Sequence, residues 1–406
     1  MDFYNELLAR GLVAQCTNSE KVSYLLNSGS AVFYLGIDPT ADSLHVGSLV
    51  QLLLISRIQQ LGNRAVCLFG GGTGMIGDPT GKNNMRRMMT TEEIERNISC
   101  FIAQASKFIN ISQVNIVNNA QWLCNLNYIE FLREVGIHFS INKMLAAECY
   151  KQRLGSGLTF FELNYMIMQS YDFLVLNDRF GCNLQIGGND QWSNIISGVD
   201  LIKKKRGSEV YGLTSNLLTT SEGKKMGKTE RGTLWLDSQK TSPYDFYQYW
   251  RNVADSDVIT CFKMLTFKRL EEISEYEKCK GAELNYVKEV LAFEITSLVH
   301  GEQEAKNARE SSEAFFKSGT QFANVPTVFL KKNDLKNGSI SVVDLLNLAN
   351  FASTKSEARR LIEQGGVSVN GGAVENVLSN VSVNDLKKGV LLKKGKKKFS
   401  KVLLIE

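Results

Sequence analysis

Apolar and polar positions follow two alternating rhythms over residues 1–241. Residues 31–37 form a near-continuous apolar run, as a strand covered on both faces does, and residues 44–61 place apolar side chains at helical spacing. The exchange then repeats. Strands are predicted at 64–69, 114–117 and 184–186, and helices at 90–109, 128–135, 157–176 and 191–203. Thr91 is a plausible N-cap for the second helix, with Glu92, Glu93 and Glu95 near its positive end. Strand and helix in alternation predict an α/β domain around a parallel, Rossmann-like sheet, whose ligands sit past the carboxyl ends of the strands.

From about residue 242 the strand rhythm stops. Residues 244–249, 257–265, 269–280 and 285–300 read as helices, which predicts an all-helical unit over 242–330. The polar stretch 331–339 reads as a linker. A small α+β unit follows over 340–406, with helices at 342–350 and 355–365 and short β-like runs.

Length and composition agree with several domains. The chain has 406 residues, 43% hydrophobic and 22% charged, enough to bury large cores, which excludes global disorder and a disulfide-stapled miniprotein. No apolar run is long enough to span a membrane. The first residues, Met1-Asp2-Phe3-Tyr4-Asn5-Glu6, lack a basic segment and are expected to dock as a helix rather than act as a targeting peptide. Eight scattered cysteines without a C-x-x-C pair read as free buried thiols of a reducing compartment. With three histidines and no paired cysteines, no protein-ligated metal is expected.

Charge is uneven. Residues 331–406 carry 14 Lys and Arg against 7 Asp and Glu, and eight of the lysines fall between Lys387 and Lys401. Such an end suits a polyanion, or is a solvated, partly mobile tail.

Gly70-Gly71-Gly72-Thr73-Gly74-Met75-Ile76-Gly77 contains G-x-G-x-x-G after a strand, the dinucleotide fingerprint. The residues that follow, Asp78-Pro79-Thr80-Gly81, form a turn, and the acids at the required distance lie in a helix, so an NAD oxidoreductase is the weakest reading. What remains is a flexible backbone approaching a ligand, followed by Lys82, Arg86 and Arg87, which could meet phosphates.

Two other segments carry more. Gly36-Ile37-Asp38-Pro39-Thr40-Ala41-Asp42-Ser43-Leu44-His45-Val46-Gly47-Ser48 joins the first strand to a helix, whose N-terminus suits phosphate. Lys224-Lys225-Met226-Gly227-Lys228-Thr229 places lysines three apart on a loop that could close over a polyphosphate. Alone, the lysine group reads as a solvated turn and His45 as a capping or packing residue.

Together, in this order, they resemble the H-I-G-H and K-M-S-K-S signatures of class I aminoacyl-tRNA synthetases. The segments 34–40, 77–82, 165–173 and 185–192 extend the resemblance to bacterial-type tyrosyl-tRNA synthetases over nearly the whole chain. That resemblance implies a two-step ligase. L-tyrosine and ATP give tyrosyl-adenylate and pyrophosphate, and the tyrosyl group then passes to the terminal adenosine of tRNA(Tyr). It implies Tyr34 and Asp172 at the substrate phenol, Asp78, Tyr165 and Gln169 at the ammonium, and Gln191 near the carboxylate. Gly36, Asp38, Gly47, Ser48, Gly188 and Asp190 would bind the nucleotide. Thr40 and His45 would hold the γ-phosphate, and Lys82, Arg86, Lys225 and Lys228 the departing pyrophosphate, with Mg2+ bridging phosphate oxygens. Ser48 and Gly227 depart from the usual signatures.

Residues 353–362 and 366–371 resemble a small RNA-binding module shared with a ribosomal protein, which implies Lys355, Arg359 and Arg360 at tRNA. A homodimer in the cytoplasm is implied as well. Two rivals remain. A tryptophanyl synthetase shares the signatures but needs no Tyr34–Asp172 pair, and an inactive RNA-binding relative has no use for His45, Lys225 and Lys228.

Overall fold

Six strands make one sheet: β1 (Gln15–Cys16), β2 (Val32–Ile37), β3 (Arg64–Phe69), β4 (Val114–Asn118), β5 (Leu184–Gly188) and β6 (Tyr211–Ser215). The structure is a computed structural model and describes residues 1–80, 89–229, 232–317, 327–330, 335, 338–395 and 398–404. Spatial order is β1-β6-β5-β2-β3-β4. Strands β2 to β6 pair in parallel and β1 joins antiparallel. The chain builds β2, β3 and β4 outward, then returns to place β5 on the other side of β2. That reversal opens a crevice past the carboxyl ends of β2 and β5. Strand β2 is central and buried from Val32 to Leu35, which explains its unbroken apolar run.

Helix boundaries move for identifiable reasons. The first long helix is Val46–Gln59, two residues later than predicted. Leu44 is held outside it, its N–H and C=O bonded to Gln104 and Leu236, and His45 is the extended N-cap. The next helix is Thr91–Ala105, and its cap is Thr90 rather than Thr91, in a capping box with Glu93. The predicted helix 157–176 is Phe160–Phe180: Thr159 and Glu162 form a second capping box, and Gly181, left-handed at φ 67°, ends it. After Trp192–Arg206 comes a two-stranded hairpin of β7 (Lys228–Thr229) and β8 (Gly232–Thr233).

The described chain divides into two compact units, Met1–Thr241 with Val253–Leu291, and Ser242–Asn252 with Ala292–Glu406. The predicted helical unit 242–330 is therefore split. The Val258–Leu265 helix belongs to the first unit, where it packs against Val46–Gln59. Helical period reports that a face is buried, not which element covers it.

In the second unit, β9 (Thr327–Leu330), β11 (Val367–Val369), β12 (Gly372–Ala373), β14 (Val390–Lys394) and β15 (Lys398–Leu404) form a sheet in the order β12-β11-β14-β15-β9. A separate pair joins β10 (Ser339–Ser341) to β13 (Asn380–Ser382). Strand β9 pairs in parallel with β15, so this α+β fold begins at Thr327, upstream of the predicted boundary at 340. Four residues are too few for a periodic signal. The lysine-rich end is not a tail in the described residues. Lys393, Lys394 and Lys401 lie in the β14–β15 hairpin, with Lys393 Nζ 5.5 Å from the Phe399 ring centroid and Lys394 Nζ donating to the Phe351 carbonyl at 2.7 Å. All eight cysteines are free, but only Cys67, Cys149, Cys182 and Cys261 are buried and Cys124 is exposed. Among the described residues no helix is long and apolar enough to cross a membrane.

Candidate active site

The crevice at the reversal holds a cavity of about 640 Å³. Tyr34, Gly36, Asp38, Thr40, His45, Gly47, Ser48, Asp78, Tyr165, Gln169, Asp172, Gly188, Asp190, Gln191 and Lys225 all line it. Residues from β2, the 38–45 loop, the Phe160–Phe180 helix, β5 and the lysine loop thus converge on one space. Lys82 and Arg86 lie outside the described residues. Lys228 begins β7, and its side chain is outside them too.

One end of the cavity is closed and polar. The Tyr34 ring is fully buried, 5.2 Å from Phe173, and its hydroxyl has no hydrogen-bond partner among the described residues. Burial first, then the Asp172 charge, holds its phenol well above the usual value. Asp172 is 1% exposed and accepts from Trp122 Nε1 at 2.7 Å and Asn119 Nδ2 at 2.9 Å. Burial pushes its carboxyl up to about 8 against those two donors, and the Asp38 charge adds to the rise.

A chain of side chains runs from this end. Asn119 Nδ2 also donates to Thr73 Oγ1 at 3.0 Å, and Thr73 donates to Asp38 Oδ1 at 2.8 Å. Tyr165 donates to the other Asp38 oxygen at 2.8 Å. The glycine run makes room for this chain. A Cβ on Gly70 would stand 2.0 Å from Asp38 Oδ1, and one on Gly71 2.0 Å from Asn118 Oδ1. The run was expected to admit a ligand; Gly70 does border the cavity, but the missing side chains mainly admit the protein's own polar groups.

Beyond it, Asp78 accepts from Gln191 Nε2 at 2.6 Å and from the Thr80 N–H at 2.9 Å. Gln169 and Gln185 each bury an Oε1 with no partner among the described residues. Two unanswered acceptors in the cavity that Asp78 also lines suit a cationic or N–H-bearing ligand group.

The other end holds the His45 ring and the Lys225 ammonium. His45 Nδ1 accepts from the Gly47 N–H at 3.0 Å, which leaves the ring proton on Nε2. A Cβ on Gly47 would meet the His45 ring at 2.8 Å, so glycine is needed for this arrangement. Lys225 Nζ lies 3.3 Å from Asp190 Oδ2. Its neighbour Gly227 has φ 79° and accepts the Leu234 N–H at 2.7 Å, which turns the lysine loop back beside the 38–45 loop.

In the second unit, Thr354 caps the Lys355–Glu363 helix. Arg359 and Arg360 are exposed on it, and Lys355 is paired with Asp344 at 2.6 Å.

Asn119, Trp122, Thr73, Gln185 and Gln51 belong to the site's walls or supports and were not singled out from sequence. Asn118-Asn119 directly after a strand was the available signal for the first of them.

Comparison with known proteins gives one answer. The family described as tRNA synthetases class I (W and Y) matches residues 26–317, and the tyrosine–tRNA ligase SYY-like C-terminal domain matches 318–402. A tyrosine–tRNA ligase of Acetivibrio thermocellus is 54% identical over 405 residues, 99% of each chain, and one of Clostridium botulinum is 52% identical over 99% of each. The crystal structure of a C-terminally truncated mitochondrial tyrosyl-tRNA synthetase of Aspergillus nidulans aligns at a TM-score of 0.68 and 27% identity, covering 78% of this chain and 94% of that one. A Plasmodium falciparum tryptophanyl-tRNA synthetase, 14% identical with a TM-score of 0.56 over 75% and 84% of the two chains, shares the fold. With both family matches in sequence along the chain and relatives this similar from end to end, the chain belongs to the tyrosine–tRNA ligases of the class I tRNA synthetases.

Proposed function

We propose that the cavity activates L-tyrosine with ATP and that the tyrosyl group is then passed to tRNA(Tyr). One observation carries the reading. The buried Tyr34 hydroxyl has no partner among the described residues and shares the closed end of the cavity with the fixed Asp172 carboxylate. An incoming phenol accepts from Tyr34 and adds a third donor to Asp172, whose oxygens already accept from Trp122 and Asn119. Phenylalanine leaves the Tyr34 hydroxyl unanswered, at about 1–3 kcal/mol for an unsatisfied buried group. Tyrosyl-tRNA synthetases are themselves the standard illustration of this logic.

With the phenol there, the Asp78 carboxylate and the Gln169 Oε1 meet the ammonium. Gln191 lies near the carboxylate, beside the Asp78 that it already bonds. A tyrosine carboxylate oxygen attacks the α-phosphorus in line, the bond to the β-phosphate oxygen breaks, and pyrophosphate leaves. Gly36, Gly47, Ser48, Gly188 and Asp190 border the nucleotide. His45 Nε2 donates to a phosphate oxygen, and Thr40 supports it. Lys225 exchanges Asp190 for the polyphosphate, with Lys228, Lys82 and Arg86 as further cations. No covalent enzyme nucleophile is needed; the rate comes from positioning and charge stabilisation. Mg2+ would accompany ATP as part of the substrate, where it would neutralise phosphate charge while keeping several of its waters.

In the second step the terminal ribose hydroxyl attacks the tyrosyl carbonyl and AMP leaves. Arg359, Arg360 and Lys355 position the tRNA through phosphates. The active form is a homodimer. Tyr128, Ile129, Ile137, Ile141 and Phe160 are exposed apolar side chains of the first unit, which a second copy would cover. Free thiols fit a cytoplasmic setting.

Amino-acid-dependent ATP–pyrophosphate exchange, run with all twenty amino acids, tests the reading. Exchange with tyrosine alone is expected. Exchange with tryptophan would reduce Tyr34 and Asp172 to packing, and no exchange from folded protein would overturn the activity.

A further inference from the structure

The inward face of the Thr91–Ala105 helix is not wholly apolar. Ile94, Ile98, Phe101 and Ala105 are buried there, and so is Asn97 at 4% exposure. Gln104, seven residues on, shares that face and is half-buried. Polar groups among packed hydrocarbon are costly unless bonded, and these two are bonded to one loop. Asn97 Nδ2 donates to the Pro39 carbonyl at 2.9 Å. Gln104 Oε1 accepts the Leu44 N–H at 2.9 Å and the Ser43 hydroxyl at 3.3 Å.

That loop runs between Thr40 and His45, and both line the cavity. Its far side is held as well. The Leu44 carbonyl accepts the Leu236 N–H at 2.9 Å, and the Val46 N–H donates to the Leu234 carbonyl at 3.3 Å. Leu44 therefore has its N–H fixed by the helix and its C=O fixed by the segment that leaves the lysine loop. His45 is the next residue, and its direction follows from that peptide.

We propose that Gln104, assisted by Asn97, is a positioning residue for the nucleotide end of the cavity. It touches no substrate. It sets His45 through the Leu44 peptide, so it acts on transition-state stabilisation and not on the tyrosine pocket. The inference rests on the activation reading above for its kinetic consequence, but the clamp itself does not.

Gln104→Met keeps length and helix preference and removes the acceptor. In the full chain, kcat for tyrosine-dependent ATP–pyrophosphate exchange is expected to fall roughly 10- to 100-fold, the effect of one unsatisfied amide beside a catalytic group. Tyrosine Kd, measured by equilibrium binding, stays within about twofold. Gln104→Met combined with His45→Ala loses no more than His45→Ala alone, because the first acts through the second. An unchanged kcat, a tyrosine affinity that falls in step, or losses that multiply would each overturn the proposal. Hydrogen–deuterium exchange over residues 39–46 separates it from the activity. Faster exchange there in Gln104→Met is expected whatever the substrate, and unchanged exchange refutes the clamp even if the parent proves inactive.

Discussion

Trp122 Nε1 donates to Asp172 Oδ1 at 2.7 Å, and this bond, with the one from Asn119, keeps a buried carboxyl titratable within reach of neutral pH. Its ordinary value is 3.8, and in the fold it is about 8. Between those values the folded protein holds a proton that the unfolded chain has lost, so stability contributed by this group falls as pH rises from about 4 to about 8. The thermal midpoint of the parent should therefore drop more steeply between pH 5 and 8.5 than that of Asp172→Asn, which cannot titrate. Parallel curves would mean that Asp172 is ionised throughout.

Tyr34→Phe removes a hydroxyl that has no partner among the described residues. The empty protein should lose no stability, since an orphaned donor is a liability, and its thermal midpoint should hold or rise. Preference for tyrosine over phenylalanine in exchange should fall about tenfold, as one neutral hydrogen bond is lost only with the hydroxylated substrate. A destabilised empty protein would show that the hydroxyl is answered in solution.

Gly70 is where backbone and side-chain network are most tightly joined. A Cβ there stands 2.0 Å from Asp38 Oδ1 and 2.4 Å from Thr73 Oγ1. Gly70→Ala must push those partners apart, at about 1–3 kcal/mol of overpacking. Calorimetry should show a midpoint lower by several degrees, and tyrosine affinity should fall as Asp38 releases Tyr165. A neutral result would require the strand end to shift without cost.

His45→Ala and Lys225→Ala should separate rate from binding. His45 Nε2 carries the proton because Nδ1 accepts from Gly47, so its donor aims at charge that builds on the polyphosphate. Loss of such a donor costs on the order of 10²-fold in kcat. Lys225 leaves only a half-exposed pair with Asp190, which is worth little, so its transfer to phosphate is cheap. Both variants should keep tyrosine affinity within about twofold, measured by equilibrium binding. Equal losses of affinity and rate would remove them from the chemistry.

Much of this was legible in the chain. The period changes located β2, β3 and the helix that His45 caps, because each buries a long enough run to leave a pattern. The signatures picked out Tyr34, His45 and Asp172 by spacing, and all three line the cavity. What was hidden depends on tertiary neighbours. Trp122 reads as an ordinary core residue until Asp172, fifty positions away, is seen against it. The Val258–Leu265 helix has a clear apolar face, but nothing local says that Val46–Gln59 covers it. Strand β9 owes its existence to β15, some seventy residues on. Gly72, Gly74 and Gly77 matched a nucleotide fingerprint by spacing, while the glycines just before them, Gly70 and Gly71, let Asp38 and Asn118 approach.

Arg359 and Arg360 offer the cleanest separation of the two half-reactions. Both are exposed on the Lys355–Glu363 helix, in the unit that does not hold the cavity. Lys355, by contrast, is already paired with Asp344 and must leave it to reach a phosphate. Arg359→Glu with Arg360→Glu should leave tyrosine-dependent ATP–pyrophosphate exchange unchanged, since adenylate forms without tRNA. Affinity for tRNA should fall at least about tenfold in filter binding. Each lost phosphate contact also removes about 0.7–0.9 from the slope of log K against log salt, so two should flatten it by about 1.4 to 1.8. A weaker affinity with an unaltered slope would mean that the arginines shape the module rather than meet phosphate. Unchanged affinity would place the tRNA on another face of the chain.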